Sequence, residues 1–386
     1  MKKLQDFIKS TIDNRGKNPD RYFEDEKYPV IDNVLIKNTL YPDMSAVTRY
    51  IDQDTFDNFL RGYVHKNMPL ITLVGNGIGN VTLAPSDEVA IVQNTIGFEV
   101  TAELDEVFLY YYLRNNQERI RGFNRGSGQP SIKKTDILSM EVDFPIIDIQ
   151  KKIVNVLMRI DEKIENNNAI NRNLQEQAFT LFDHMVAEHS SGDVCNLSDF
   201  ADINPKRNLS KNTEARCIDM AKLSTSGAFP DGWDYKTYTG GMKFKNGDTI
   251  LARITPCLEN GKTAYINFLE VDEVAFGSTE YIVLAPKGAV PPELLYCLAR
   301  YPRFVDYAVI NMNGTSGRQR VSGEIIGQYQ VPRFTEIELE EFASSVAVLF
   351  EKMKQNSIES MRLAEVRNIL LPQLMSGELD VSDIKI

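Results

Sequence analysis

Ten positions between residues 153 and 185 alternate in steps of four and three: Ile153, Leu157, Ile160, Ile164, Asn167, Asn171, Leu174, Ala178, Leu181 and Met185. Shifted by 189 residues, the ladder returns as Phe342, Val346, Leu349, Met353, Asn356, Ser360, Leu363, Arg367, Leu370 and Leu374. Such spacing is the seam of a coiled coil. At about 1.5 Å per residue each seam runs roughly 48 Å. A helix that long needs a partner along its length, and the simplest partner is the other copy.

Chain direction sets the pairing. The first helix leads away from one globular segment to another, and the second must return if it packs on the first. The pair is therefore expected to be antiparallel, with a pseudo-two-fold axis near Asn167, Asn171, Asn356 and Ser360. In that register residues 153–164 face 363–374, and the asparagines meet centrally, where polar seam residues fix register at some cost in stability. Thr335 and Glu338 spell a capping box for the second helix, and Asp148 is placed to cap the first. Gly192 reads as the stop of the first helix, and Pro372 as an end or kink in the second.

The duplication extends into the segments ahead of each helix. LQDF at 4–7 is matched by LSDF at 197–200, and LITLVGNGIGNVTLA from Leu70 by ILARITPCLENGKTAYI from Ile250. NTIGFEV from Asn94 parallels STEYIVL from Ser278, and FLYYYLR from Phe108 parallels LLYCLAR from Leu294. RGSGQPSI at 125–132 meets GTSGRQRV at 314–321, where Arg318 reads as an insertion before Gln319. A period of about half the chain signals domain duplication and not a solenoid. The expected class is α+β: two similar globular domains joined by two long antiparallel helices in a coiled coil, as a pseudo-two-fold internal repeat. Its parts are a first domain at 1–147, a central helix at 148–190, a second domain at 191–333, and a C-terminal helix with tail at 334–386.

Composition narrows the function. The 386 residues are enough for two or three domains. Forty-three basic against 54 acidic residues give a net charge of −11, which on average disfavours a phosphate partner, although a basic face can sit on an acidic body. Cys195, Cys217, Cys257 and Cys297 form no CxxC pair, and three histidines make a histidine metal site or relay unpromising. No apolar run approaches the roughly 18 residues of a membrane helix, and the N-terminal segment turns polar too soon for a signal peptide. A cytoplasmic chain with no metal and no cofactor of its own is expected.

Catalytic motifs are missing. Gly75, Gly77 and Gly79 follow an apolar strand, but residues 81–83 resume a strand and Pro85 follows. That fits a glycine-rich hairpin better than a dinucleotide turn, which must open a helix. There is no D/N-P-P-aromatic methyltransferase motif, no P-loop and no Pro-Asp followed at a plausible distance by an acidic-x-Lys nuclease triplet. No catalytic residue is assigned.

Binding signals are stronger. Residues 114–134 carry six basic side chains against one acidic, and 300–320 carry Arg300, Arg303, Arg318 and Arg320 against Asp306 alone. The DNA-binding candidates are Arg119, Arg121, Arg125, Lys133 and Lys134 in the first cluster and Arg303, Arg318 and Arg320 in the second. Arg15 with Lys17, and Lys206 with Arg207, join them from a polar turn in each half. Such side chains contact phosphates or read guanine and adenine edges.

With these features assembled, the chain resembles the DNA specificity subunits of Type I restriction–modification systems. The likeness rests on the duplicated plan, the GSGQ-x-x-I turn preceding a proline, the stretch PIIDIQKKIVNVLMRIDEKIENNNAINRNL, and the ending RNILLPQLMSGELDV at 367–381. The resemblance implies two target-recognition domains, each reading one half of a split, asymmetric DNA site, with the helices as ruler. It implies docking of two methyltransferase subunits that bring S-adenosylmethionine and adenine-N6 chemistry. A restriction/translocase subunit using ATP and Mg could join, while this subunit is non-catalytic. Gly128, Gln129, Gly317 and Gln319 are then turn-forming family residues. DNA binding by the chain alone should be weak and salt-sensitive.

Two rival readings stay open. One is a coiled-coil scaffold with protein-binding heads, which predicts no DNA binding even beside a methyltransferase. The other is an enzyme using the glycine-rich strands for a nucleotide or sugar, which requires a polar cluster of catalytic spacing.

Overall fold

The computed structural model describes residues 2–126, 128–189, 192–315 and 317–382. They form two compact units, unit 1 from Met1–Glu165 with Leu363–Ile386 and unit 2 from Asn166–Arg362. Each contains one globular part and a stretch of both long helices.

In unit 1 a four-stranded antiparallel sheet runs in the order Ile8–Ile12, Thr95–Val100, Pro69–Thr72, Val81–Leu83. A second sheet places Tyr28–Ile31 between Tyr50–Ile51 and Ala90–Ile91, the latter pair parallel. Their β-branched and aromatic residues suit pleated, buried strands. The helix Glu106–Asn115, capped by Asp105 through the Phe108 amide, lays Phe108, Leu109, Tyr110, Tyr111 and Leu113 into the core.

Unit 2 repeats this plan. Its antiparallel sheet runs Ala201–Ile203, Tyr281–Pro286, Thr249–Ala252, Thr263–Tyr265. Its second sheet again holds a parallel pair, Glu214–Ile218 with Ala275–Gly277, flanked by Asp234–Thr237 and Lys243–Phe244. Helix Pro292–Arg300 takes the place of Glu106–Asn115. The internal repeat is therefore one of topology as well as of sequence.

The central helix covers Ile147–Glu188 and the C-terminal helix Glu336–Ser376. The Thr335 amide donates to Glu338 at 2.7 Å, and the Glu338 amide returns to the Thr335 hydroxyl at 3.3 Å, a closed capping box. Asp148 lies inside the first turn of the central helix and not at its cap. Pro372 does not end its helix. The helix continues to Ser376, with Leu371 and Leu374 anchored in the core, and Gly377 (φ 74°) follows.

Within each unit the two helices run antiparallel. In unit 2 Asn167 donates to Ser360 Oγ at 3.3 Å while Asn171, one turn on, donates to Ser357 Oγ at 3.1 Å, one turn back. Ala178, Phe182 and Met185 share a core with Phe342, Val346, Phe350 and Met353. In unit 1 Ile153 and Leu157 share theirs with Leu371 and Leu374.

The seam departs from the heptad at Gln175, which is buried where Leu174 was expected, and at four further places. Asp161, Phe182, Phe350 and Leu371 are buried where Ile160, Leu181, Leu349 and Leu370 were expected, and Leu181 is 40% exposed. The four lie at equivalent points of the repeat. Each marks a step of four in place of three, because a straight helix drifts by about 20° per heptad from a strict 3.5-residue repeat.

Candidate nucleic-acid interface

The glycine-rich stretch of unit 1 is a hairpin between Pro69–Thr72 and Val81–Leu83. Gly75 and Gly79 turn it at φ of 102° and 76°, angles that favour glycine. Side chains from elsewhere hold its tip. Gln117 donates to the Gly79 carbonyl (3.1 Å), and Arg121 donates to the Ile78 carbonyl (3.2 Å) and Asn80 Oδ1 (2.9 Å). Asn38 also donates to Asn80 Oδ1, at 3.2 Å.

The turn at 126–132 is strapped to this hairpin. The Gly75 amide donates to the Pro130 carbonyl at 2.9 Å and the Ile132 amide to the Leu73 carbonyl at 2.8 Å. Between them opens a cleft of about 580 Å³, lined by Asn33, Lys37, Asn76, Asn80, Gly128 and Gln129 among others.

Unit 2 has the same strap: the Thr255 amide donates to the Gln319 carbonyl at 3.1 Å and the Val321 amide to Arg253 at 3.0 Å. Gln319 thus matches Pro130, Arg318 matches Gln129, and Gly317 matches Gly128. Arg318 is not an insertion. The offset of 189 runs through the turn unbroken, and both Gln129 and Arg318 are exposed.

The basic candidates divide into two sets. Arg15 forks onto Asp13 with contacts of 2.8 and 2.6 Å, and Lys134 reaches the same carboxylate at 3.4 Å. Hydrogen bonding from Arg15, the largest cause, holds the Asp13 carboxyl at about 2, well below its ordinary value. Arg125 pairs with Asp136 at 2.7 Å, and Lys17 sits 4.9 Å over the Phe59 ring. In unit 2 Arg207 pairs with the buried Asp248 at 2.7 Å; burial pushes that carboxyl's pKa up and Arg207 opposes it. Arg320 forks onto Glu280 at 2.8–3.0 Å and draws that carboxyl's pKa down.

Arg119 and Lys133 in unit 1, and Lys206, Arg303 and Arg318 in unit 2, are exposed and make no ion pair among the described residues. Counting basic residues along the sequence therefore overstates the positive surface left for a ligand. It also misses Asn33, Lys37, Asn76 and Asn80, which reach one cleft from separate loops. Asn76 and Asn80 are marked in the sequence by the glycines beside them, whereas Asn33 and Lys37 lie far upstream and carry no such mark.

Residues 1–176 match the Type I restriction modification DNA specificity domain. Over that stretch the chain is similar to the Type I DNA specificity subunits. The chain is 25% identical over 342 residues to the Type I restriction enzyme MjaIX specificity subunit of Methanocaldococcus jannaschii, covering 78% of this chain and 77% of that one. It is 22% identical over 354 residues to the HindI specificity subunit of Haemophilus influenzae, covering 70% and 77%. Its fold is shared with the S subunit from M. genitalium seen by crystallography, with a TM-score of 0.55 at 19% identity over 97% and 95% of the two chains. These relatives are named specificity subunits of Type I restriction enzymes. Among the described residues no helix is long and apolar enough to cross a membrane, and no group of three or more His, Cys, Asp and Glu could hold a metal ion.

Proposed function

We propose that the chain reads a bipartite, asymmetric double-stranded DNA site, one half through residues 1–147 and the other through 191–333, with an unread spacer between. The carrying observation is that one topology occurs twice with different side chains at matching exposed turns, Gln129 in unit 1 and Arg318 in unit 2. Amide and guanidinium groups have different preferences for base edges, so two heads built alike would prefer different half-sites. A homodimer would instead read a palindrome.

In this reading the helices dock two adenine-N6 methyltransferase subunits, which bring S-adenosylmethionine, and a restriction/translocase subunit that brings ATP and Mg. The net charge of −11 and the many internally paired arginines favour weak binding by the chain alone, with partners supplying further phosphate contacts. The working compartment is the cytoplasm. The test is an adenine-methylation map of the host genome with and without this gene. Loss of methylation at a split motif on deletion supports the reading. Unchanged maps beside an expressed methyltransferase would favour the scaffold alternative.

A further inference from the structure

Because the two units share one topology, a side chain present in one and missing from the other marks a place where their tasks differ. In unit 1 the segment entering the central helix carries Phe144, just beyond strand Glu141–Val142 and three residues before Ile147. Its ring meets Phe7, Phe108 and Tyr112 edge-on, with centroids 5.1, 5.6 and 4.9 Å away. Phe144 is the plug of an aromatic nest.

The matching residue of unit 2 is Arg333, which follows Gln330–Pro332 and lies three residues before Glu336. Arg333 is exposed. The counterparts of the three nest residues are Phe200, Leu294 and Leu298, and all three line a cavity of about 330 Å³. Two of them are leucines where unit 1 has rings, so the hole is widened as well as unplugged. Phe182 and Tyr301 extend the apolar wall, and Arg303 stands in the lining. Phe334 packs against Phe200, at 6.0 Å, and against His189, at 5.3 Å, and forms part of the cavity wall.

We propose that this cavity of unit 2 receives an aromatic side chain presented by the methyltransferase subunit, the group that unit 1 supplies from its own chain as Phe144. The proposal rests on the docking reading above. The wall chemistry selects the occupant: ring edges and leucine methyls pack an aromatic side chain, and Arg303 can lie over the face of a ring. Its volume falls near the lower end of the roughly 300–1,000 Å³ of ligand pockets, suited to one anchor. Buried aromatic anchors in pockets dominate protein interfaces. Arg303 is thereby reassigned from DNA contact to partner contact.

The test uses the full chain and the methyltransferase subunit of its own system, with association followed by sedimentation velocity. Arg333→Phe installs the unit 1 plug, and Leu298→Tyr restores the unit 1 ring at the counterpart of Tyr112. Each should keep or raise the melting temperature and weaken association by roughly tenfold or more, as blocking an anchor pocket does. Arg333→Ala should associate like the wild type. If Arg333→Phe fails to fold, Leu298→Tyr carries the test. Wild-type affinity in both filled variants overturns the proposal and leaves docking intact. Absence of association by the wild-type chain overturns docking and this proposal together.

Discussion

Arg367 and Asp161 form a buried ion pair in unit 1 at the place where unit 2 sets Ala178 against Phe350. The Asp161 carboxylate also accepts hydrogen bonds from the Tyr111 hydroxyl at 2.9 Å and from Arg114 at 3.3 Å. Arg367 looks like a defect in an apolar seam until this partner is seen.

Removing one member should therefore hurt more than removing both. Arg367→Ala leaves a buried carboxylate short of its partner, and the expected loss is about 3–5 kcal/mol. The double variant Asp161→Phe with Arg367→Ala copies the Phe350–Ala178 pair and should recover part of that loss. Recovery is incomplete because the Tyr111 hydroxyl loses its acceptor. Urea unfolding midpoints of the three chains decide the matter, and equal loss in the single and double variants would count against it.

The central asparagines of unit 2 should trade stability for register. Asn356 donates to Asn171 Oδ1 at 2.9 Å, and Asn167 donates to Glu359 at 2.8 Å. Replacing Asn171 and Asn356 by leucine adds apolar burial, so stability should rise by about 1–3 kcal/mol. Register should loosen at the same time. Light scattering after size-exclusion chromatography should then show more than one species where the wild type shows one.

Acid should loosen the polar turn of unit 1 through Asp13. Its carboxyl is lowered from 3.8 to about 2 in the folded chain, chiefly by Arg15. A depressed carboxylate stabilises the fold above its unfolded value, and that contribution is lost as pH falls from about 4 toward 2. Asp13→Asn should flatten this part of the acid-unfolding profile, with no effect on its slope near neutral pH.

Exposed, unpaired cations should set the salt dependence of DNA binding. Alanine at Arg119 or Lys133 is expected to weaken binding of the assembled complex equally on all sequences, and to reduce the salt slope by about one per residue. The same change at Arg320 should act mainly on folding, because its guanidinium is committed to Glu280. Affinity measured across a series of salt concentrations, beside the melting temperatures, separates the two behaviours.

The long helices and the duplicated heads were legible because their signals are local or recur at one offset: the ladder from Ile153, the capping box at Thr335, the glycine hairpin after Leu70. The fate of the basic residues was not. Arg207 finds Asp248 41 residues away, Arg320 finds Glu280 at 40, and Lys134 finds Asp13 at 121. Folding brings those partners together, and neither spacing nor charge counts disclose them. The seam positions at Ile160 and Leu181 slipped by one because a heptad template ignores the drift of a straight helix. Arg318 looked inserted because Gln129 and Gln319 share a residue type, whereas the backbone pairing of the strap puts Arg318 in the place of Gln129.

Unit 1 is completed by Leu363–Ile386, although all of unit 2 stands between that segment and Met1–Glu165. Ile153 and Leu157 share a core with Leu371 and Leu374, which arrive last. At a synthesis rate of about 5–20 residues per second, the ribosome needs roughly 10–40 s to deliver them. Unit 2, made of one uninterrupted stretch, can close first, while the first head waits with an apolar stripe bare. The earliest part of the chain to be born is therefore the last to be finished, and in that interval it is the part most open to proteases and to neighbouring nascent chains on the same message.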